Sequence, residues 1–155
     1  MSPHRYQWFA FDALSPHTLY ELLKLRSDIF VVEQNCVFSD MDDYDKQSWH
    51  LVARDAGGRL IGYARLLPPG LKYEQASIGR VVMHPSARGQ QAGRRLMQEA
   101  MRGCRERYPD STQLLWAQQR LEDFYASLGF VRRGEPELED GILHVRMLLE
   151  PAAMD

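Results

Sequence analysis

The sequence predicts a single mixed α/β domain, and three features carry that prediction. The chain has 155 residues, 45% hydrophobic and 26% charged, which suits one domain with a sizeable core. Strand-like and helix-like periodicities alternate along it, with a helix between neighbouring strands in the second half. At its centre, a β-branched run ending at His84-Pro85 passes through a small turn carrying Arg88 and Gly89 into an amphipathic pattern that begins near Gly93. The domain is expected over residues 1–150, with 151–155 as a frayed tail.

In chain order, His4 to Phe11 alternates as a first strand, with Tyr6, Trp8 and Ala10 on one side. Ser15-Pro16 then starts a helix, because Ser caps and Pro tolerates the first helical position. Leu19, Leu22, Leu23, Arg26 and Phe30 extend its face toward Val31-Val32. Arg26 on that face either snorkels from the core edge or reaches into a cleft to pair with a carboxylate. From Glu33 to Lys46 the chain turns polar and acidic, as a solvated loop or an acceptor-binding lid. It lacks the sixth-position glycine and twelfth-position glutamate of a calcium loop, so no metal is expected.

Ser48 to Arg54 and Leu60 to Leu67 read as strands around the hairpin signal Asp55-Ala56-Gly57-Gly58-Arg59, and Pro68-Pro69 stops the second. Ala76 to His84 is the next strand. The helix after it buries Gly93, Leu96, Met97, Ala100, Met101, Cys104 and Tyr108, while Arg94, Arg95, Gln98, Glu99, Arg102 and Arg105 take the wet face. Gln113 to Gln118 is a short buried strand, Leu121 to Leu128 a short helix and Ile142 to Leu149 a last strand. Glu135, Glu137, Glu139 and Asp140 are placed in a second acidic loop.

Composition limits the function classes. Nineteen Lys plus Arg against 21 Asp plus Glu leaves a net charge of −2, which offers no global basic field for nucleic acid. The two cysteines, Cys36 and Cys104, make no metal spacing and suit a reducing compartment. No leader pattern and no run of about 20 apolar residues is present, so the expectation is a cytoplasmic protein without a membrane partner. A homodimer is left open.

The central turn has a chemistry of its own. The first turn of a helix carries several N–H groups without internal partners and about half a positive charge, so it attracts phosphate. Gly89 and Gly93 allow close backbone approach, and Arg88, Arg94 and Arg95 can add charge-assisted bonds; a diphosphate fits, although an ordinary basic helix start has the same composition.

Val81-Val82-Met83-His84-Pro85 followed by Ala87-Arg88-Gly89-Gln90-Gln91-Ala92-Gly93 resembles the acetyl-coenzyme A pyrophosphate signature of the GNAT N-acetyltransferases, Arg/Gln-x-x-Gly-x-Gly/Ala. Arg88, Ala92 and Gly93 match in register, whereas Gln91 stands in place of the central glycine. Downstream, Gln118, Phe124-Tyr125 and Gly129-Phe130 resemble the Asn-x(6)-Tyr-x(3)-Gly-Phe segment of the same superfamily, with Gln118 for Asn. Arg26 to Gln34, Trp49-His50-Leu51, and Gly134-Glu135-Pro136 through His144 are similar to the ElaA-type branch. The resemblance implies a curved mixed sheet whose strands ending near Met83 and Ala117 splay apart, flanked by helices. It implies acetyl-coenzyme A as co-substrate, held by Val81 to Met83, by Arg88 to Arg94, and by Gln118 and Phe124.

Acetyl transfer to an amine poses two proton problems. An alkyl ammonium of pKa near 10.4 leaves about one molecule in a thousand nucleophilic at pH 7, a handicap of roughly 4–5 kcal/mol, and the departing thiolate needs a donor. Tyr125 can be that donor, since a phenol stays protonated at neutral pH. Glu33 is the first choice of base because it follows an apolar run, where desolvation would raise its pKa; His50, His144 or a water chain are the alternatives. Arg26, Phe30, Gln34, His50, Arg80 and His144 are candidates to line the acceptor site. The acidic loops favour a cationic small-molecule or peptide amine, while Arg26, Arg65 and Arg80 could instead hold a substrate carboxylate. The competing readings are a non-catalytic acyl-coenzyme A sensor and an adaptor using the basic helix face.

Overall fold

In the computed structural model, residues 4–36, 39–89 and 91–151 are described; Gln90 and the tail at 152–155 lie outside them. Seven strands form one mixed sheet in the order β1-β2-β3-β4-β5-β7-β6. They are β1 (Arg5–Ala10), β2 (Trp49–Arg54), β3 (Leu60–Leu67), β4 (Ala76–Met83), β5 (Gln113–Gln118), β6 (Val131–Glu139) and β7 (Ile142–Leu149). Only β4 and β5 pair in parallel, and α2 (Ala92–Arg107) makes the crossover between them. The mixed α/β class is as the sequence predicts, and so is the order of elements apart from β6.

Local chemistry accounts for the boundaries. Ser15 caps α1 (Pro16–Arg26) by accepting the N–H of Thr18 at 3.1 Å, with Pro16 in the first turn. Asp55 ties the β2–β3 hairpin by accepting the N–H groups of Gly57 and Arg59, and Gly58 supplies the left-handed residue at φ +86°. Helix α1 does not end at Arg26 but widens into π-helical winding over Ser27–Glu33, with Gln34 N–H on Ile29 O at 3.0 Å. The wider winding re-aims the side chains that follow the apolar face, a distortion common at functional sites.

The sheet is covered on both faces. Leu96, Met97, Ala100 and Cys104 of α2 pack on Leu51, Ile61, Leu66 and Ile78, whereas Leu22, Leu25 and Ile29 pack with Val52, Tyr63 and Val82. Strand β3 lies between both layers and is buried along its whole length. At the far end of α2, a Cβ on Gly103 would sit 2.1 Å from the Trp8 ring, so only glycine fits. The guanidinium of Arg107 is held between Trp8 and Trp49, 4.5 and 4.4 Å from their ring centroids.

One stretch departs from the sequence reading. Residues 131–139, placed in part as an acidic loop, form edge strand β6, paired to β7 from Val131↔Leu148 to Glu139↔Ile142. Gly134 at φ +87° and Pro136 sit where the register shifts, and an edge strand tolerates a residue without an N–H.

The first acidic loop is also not a freely solvated one. Arg26, whose side chain is 0% exposed, donates to Asp40 Oδ2 and Asp45 Oδ1, both at 2.7 Å. Arg65 of β3 donates to Asp42 Oδ1 at 2.7 Å and to Asp45 Oδ1 at 3.1 Å. Arg80 of β4 reaches Asp40 at 2.9 Å and Asp42 at 3.3 Å. His50 completes the arrangement, with one ring nitrogen 2.8 Å from Asp45 O and the other 2.6 Å from the Tyr63 hydroxyl. A carbonyl only accepts, so Nε2 carries the proton and Nδ1 takes the Tyr63 O–H. Burial opposes ionisation of Asp42, but Arg65 and Arg80 prevail and hold its carboxyl down at about 2. Burial pushes the His50 imidazole below its usual range, so the ring stays neutral.

Replacing Arg26 with Met should lower unfolding free energy by about 3 kcal/mol in a urea titration, because Asp40 and Asp45 each lose a 2.7 Å partner and three carboxylates are left to share Arg65 and Arg80. Stability should also fall with acid in two stages. The His50 contribution is complete above its ordinary pKa of 6.5 and shrinks as the pH drops below it. That of Asp42 is complete above 3.8 and is lost as the pH falls through about 2. Thermal melts from pH 7 to about pH 2 check both stages, and a Tm that does not move between pH 7 and pH 5 would show that His50 contributes nothing to the first.

Candidate active site

Strands β4 and β5 pair only at Ala76↔Gln113 and Ser77↔Leu114, then separate. This is the splay that the family resemblance implies. A bulge accompanies it: Tyr63 lies opposite Val82, but Arg65 lies opposite Gly79, and Arg80 between them takes φ +50°. The bulge turns the strand's backbone toward the gap at the cost of one left-handed non-glycine residue.

The gap opens into a cavity of about 710 Å³, within the range of small-molecule sites. Val81, Val82 and Met83 line one wall, and Leu115, Trp116, Ala117 and Gln118 the other. Phe124 and Tyr125 come from α3 (Glu122–Ala126), while Phe30, Glu33, Gln34 and Cys36 come from the π-helical turn and the chain just after it. Arg88 and Gly93 stand at one end, and Arg80, Glu139, Asp140 and His144 also border the cavity. Gln118 donates to Gln34 Oε1 at 3.3 Å, which ties β5 to the chain leaving the π-helical turn.

Just outside, Gly89, Gln91, Ala92, Gly93, Arg94 and Phe124 border a second, open depression at the start of α2. Among the described residues no side chain caps this helix, so its first-turn N–H groups face whatever lies in the depression. Gln91, which replaces the expected glycine, adopts φ 63° and ψ 20°. The backbone of the turn is therefore kept in the left-handed form despite the side chain. Arg94 lies over the Phe124 ring at 5.8 Å and donates to Ser127 Oγ at 2.5 Å.

Two of the residues expected in the acceptor site are elsewhere. Arg26 and His50 are fully buried behind the cavity, and the partners of Arg26 are the aspartates of the acidic loop; it does pair with carboxylates, but with the protein's own. The reason given for Glu33 as a base is not met either. Its carboxylate is exposed and held by both Arg88 nitrogens at 2.7 Å, and the hydrogen bond from Arg88 moves its pKa below the usual carboxylate range. Tyr125 is buried, and burial pushes its phenol up to about 12, so it is protonated throughout the neutral range.

Sequence reasoning passed over Trp116. Its indole is stacked on His144 with ring centroids 5.9 Å apart and planes 8° from parallel, and its N–H donates to Glu139 Oε2 at 2.5 Å. A Trp in a strand whose neighbours are apolar gives no signal of that kind.

The comparisons with known proteins agree with this geometry. Residues 29–151 match the family model described as an acetyltransferase (GNAT) domain. The chain is 39% identical to protein ElaA of Escherichia coli over 139 residues, covering 88% of this chain and 90% of that one. It is 38% identical to a UPF0039 protein of Synechocystis over 143 residues, covering 92% and 93%. Among solved structures, an acyl-CoA N-acyltransferase from Pseudomonas aeruginosa superposes with a TM-score of 0.89 at 37% identity, covering 94% of this chain and 99% of that one. Escherichia coli ElaA superposes at 0.88 and 36%, covering 95% and 99%.

Gln91→Gly should relieve the left-handed strain of roughly 1–2 kcal/mol, partly offset by the greater freedom of the unfolded chain. A net gain of about 1 kcal/mol, or about 2–4 °C in Tm, is expected by calorimetry. A lowered Tm would show that the Gln91 side chain contributes more than its backbone costs.

Proposed function

The chain belongs to the GNAT acetyltransferases, in the ElaA-type branch, and from that premise we propose that it transfers the acetyl group of acetyl-coenzyme A to a primary amine of a small molecule or peptide. The observation that carries this reading is the gap between β4 and β5. It joins an uncapped helix N-terminus with Arg88 at one end to a chamber holding Tyr125, His144 and Glu139.

The residues present fit the co-substrate. The first turn of α2 with Gly89, Gly93 and Arg88 suits the diphosphate, by N–H donation and charge. On the side that β5 leaves free, β4 offers backbone groups of Val81 to Met83 to the amide-bearing arm, as one strand offers them to another. Cofactor binding has to move Glu33 off Arg88, since its carboxylate occupies the guanidinium donors that a phosphate would use.

The reaction is attack of a neutral amine on the thioester carbonyl, followed by loss of the thiolate. Tyr125 is the proton donor to that sulfur: its buried phenol stays protonated through the neutral range and can hydrogen-bond to the sulfur as charge builds on it. For the acceptor, Glu139 and Asp140 lie at the cavity while the charge of Asp40 is already met by Arg26 and Arg80. The β6–β7 side therefore attracts a cation, and the acidic loop at 39–45 adds little.

Arg88→Glu should weaken acetyl-coenzyme A binding at least tenfold in a calorimetric titration, by placing a like charge beside the phosphates. Tyr125→Phe should lower kcat by about 100-fold and leave cofactor affinity nearly unchanged. Thiol release against a panel of amines and peptides reads both. Tight cofactor binding with no release against any of them would make the protein an acyl-coenzyme A sensor instead.

A further inference from the structure

We infer that His144 is the catalytic base of this reaction, taking a proton from the attacking amine through Nε2; the inference rests on the acetyltransferase reading above. Its tautomer follows from one hydrogen bond. Nδ1 lies 2.8 Å from the carbonyl oxygen of Ile142, and a carbonyl can only accept, so Nδ1 carries the proton. In the neutral ring, Nε2 then presents a lone pair, and among the described residues it has no hydrogen-bond partner. His144 lines the same cavity as Tyr125.

The ring is held in place by a hydrogen bond and by stacking. Trp116 lies parallel to it, and Trp116 is itself fixed by its N–H on Glu139. His144 is paired in register with Gln118 on β5, at the mouth of the gap between the splayed strands. A base set by a backbone carbonyl and a stacked indole has its orientation fixed before substrate arrives.

The other basic groups at the cavity are engaged. Glu33 is held by Arg88, Asp40 by Arg26 and Arg80, and Glu139 by Trp116. Asp140 occupies the exposed turn of the β6–β7 hairpin at φ +52°. The titratable and charged groups on the elements packed around His144 are Glu137 opposite it on β6, Glu139 and Asp140 at the hairpin end, and Arg146 two residues along β7. From the other side of the cavity come Tyr125, Arg120, Cys36 and Glu33.

The step balances. The nitrogen lone pair of the neutral amine forms the N–C bond to the thioester carbonyl while one N–H proton passes to His144 Nε2. The C–S bond breaks, its electron pair leaves on sulfur, and sulfur takes the Tyr125 phenol proton. The imidazolium then returns a proton to the tyrosinate through water, which restores both groups and leaves one amide and one free thiol.

The test compares wild type with His144→Gln and His144→Asn, whose amides still donate to a carbonyl. With acetyl-coenzyme A and the best amine of the panel, both variants should lose about 100-fold in kcat, with the acceptor KM and the cofactor Kd each within about threefold. The wild-type profile of kcat/KM should show an acid limb that the variants lack. Turnover within threefold of wild type, an acid limb that survives in His144→Gln, or a wild-type profile without that limb each overturns the assignment. If wild type releases no thiol against any amine, the assignment falls together with the transferase reading; if wild type turns over and the variants match it, only the assignment of His144 falls.

Discussion

A guanidinium with no exposure to water is tolerable only where its donors are met, and Arg26 has them met by Asp40 and Asp45. Those two aspartates belong to a loop whose described residues from 39 on form no regular structure beyond a short turn at Asp45–Gln47. Arg65 and Arg80 bring β3 and β4 to the same loop, and His50 holds its backbone at Asp45. The loop is therefore fastened to α1 and to three strands by charge and hydrogen bonds where it has little apolar surface to bury. Each aspartate is shared by two of the arginines, so removing any one arginine leaves three carboxylates on two cations, and the network behaves as one unit.

The cavity depends on that fastening. Arg80 is the residue that takes the left-handed conformation at the β4 bulge, and its side chain is bonded to Asp40 and Asp42. Ion pairs of this kind offset the backbone strain and fix which way the strand turns. The π-helical winding after α1 works with it, because it carries Phe30, Glu33 and Gln34 to the cavity from residues that follow Arg26 directly. One buried cation thus sets the positions of two walls.

Much of this was legible in the sequence. Periodicity located every strand but β6, and capping chemistry at Ser15-Pro16 and the Asp55–Gly58 turn set boundaries that the structure keeps. The Arg88–Gly93 turn and the Phe124-Tyr125 segment pointed to the two ends of one cavity that the fold then assembles. β6 escaped because an edge strand has neither face fully buried, so Gly134, Pro136 and alternating glutamates read as loop. The aspartate–arginine network escaped because its partners are 14 to 40 residues apart, and no local pattern pairs them. For the same reason Glu33 was given an apolar setting from its neighbours in sequence, while its actual neighbour, Arg88, is 55 residues away.

The edge strand has a consequence for the life of the molecule in concentrated solution. A sheet edge of nine residues offers a row of unpaired backbone groups to any other extended chain. In β6 that row is interrupted at Pro136, which has no N–H to give, and kinked at Gly134, while Arg132, Arg133, Glu135, Glu137 and Glu139 surround the exposed Leu138 with charge. A neighbouring strand would have to strip water from those charges to pair. The same irregularities that hid this strand from sequence reading guard the sheet against growing into aggregates.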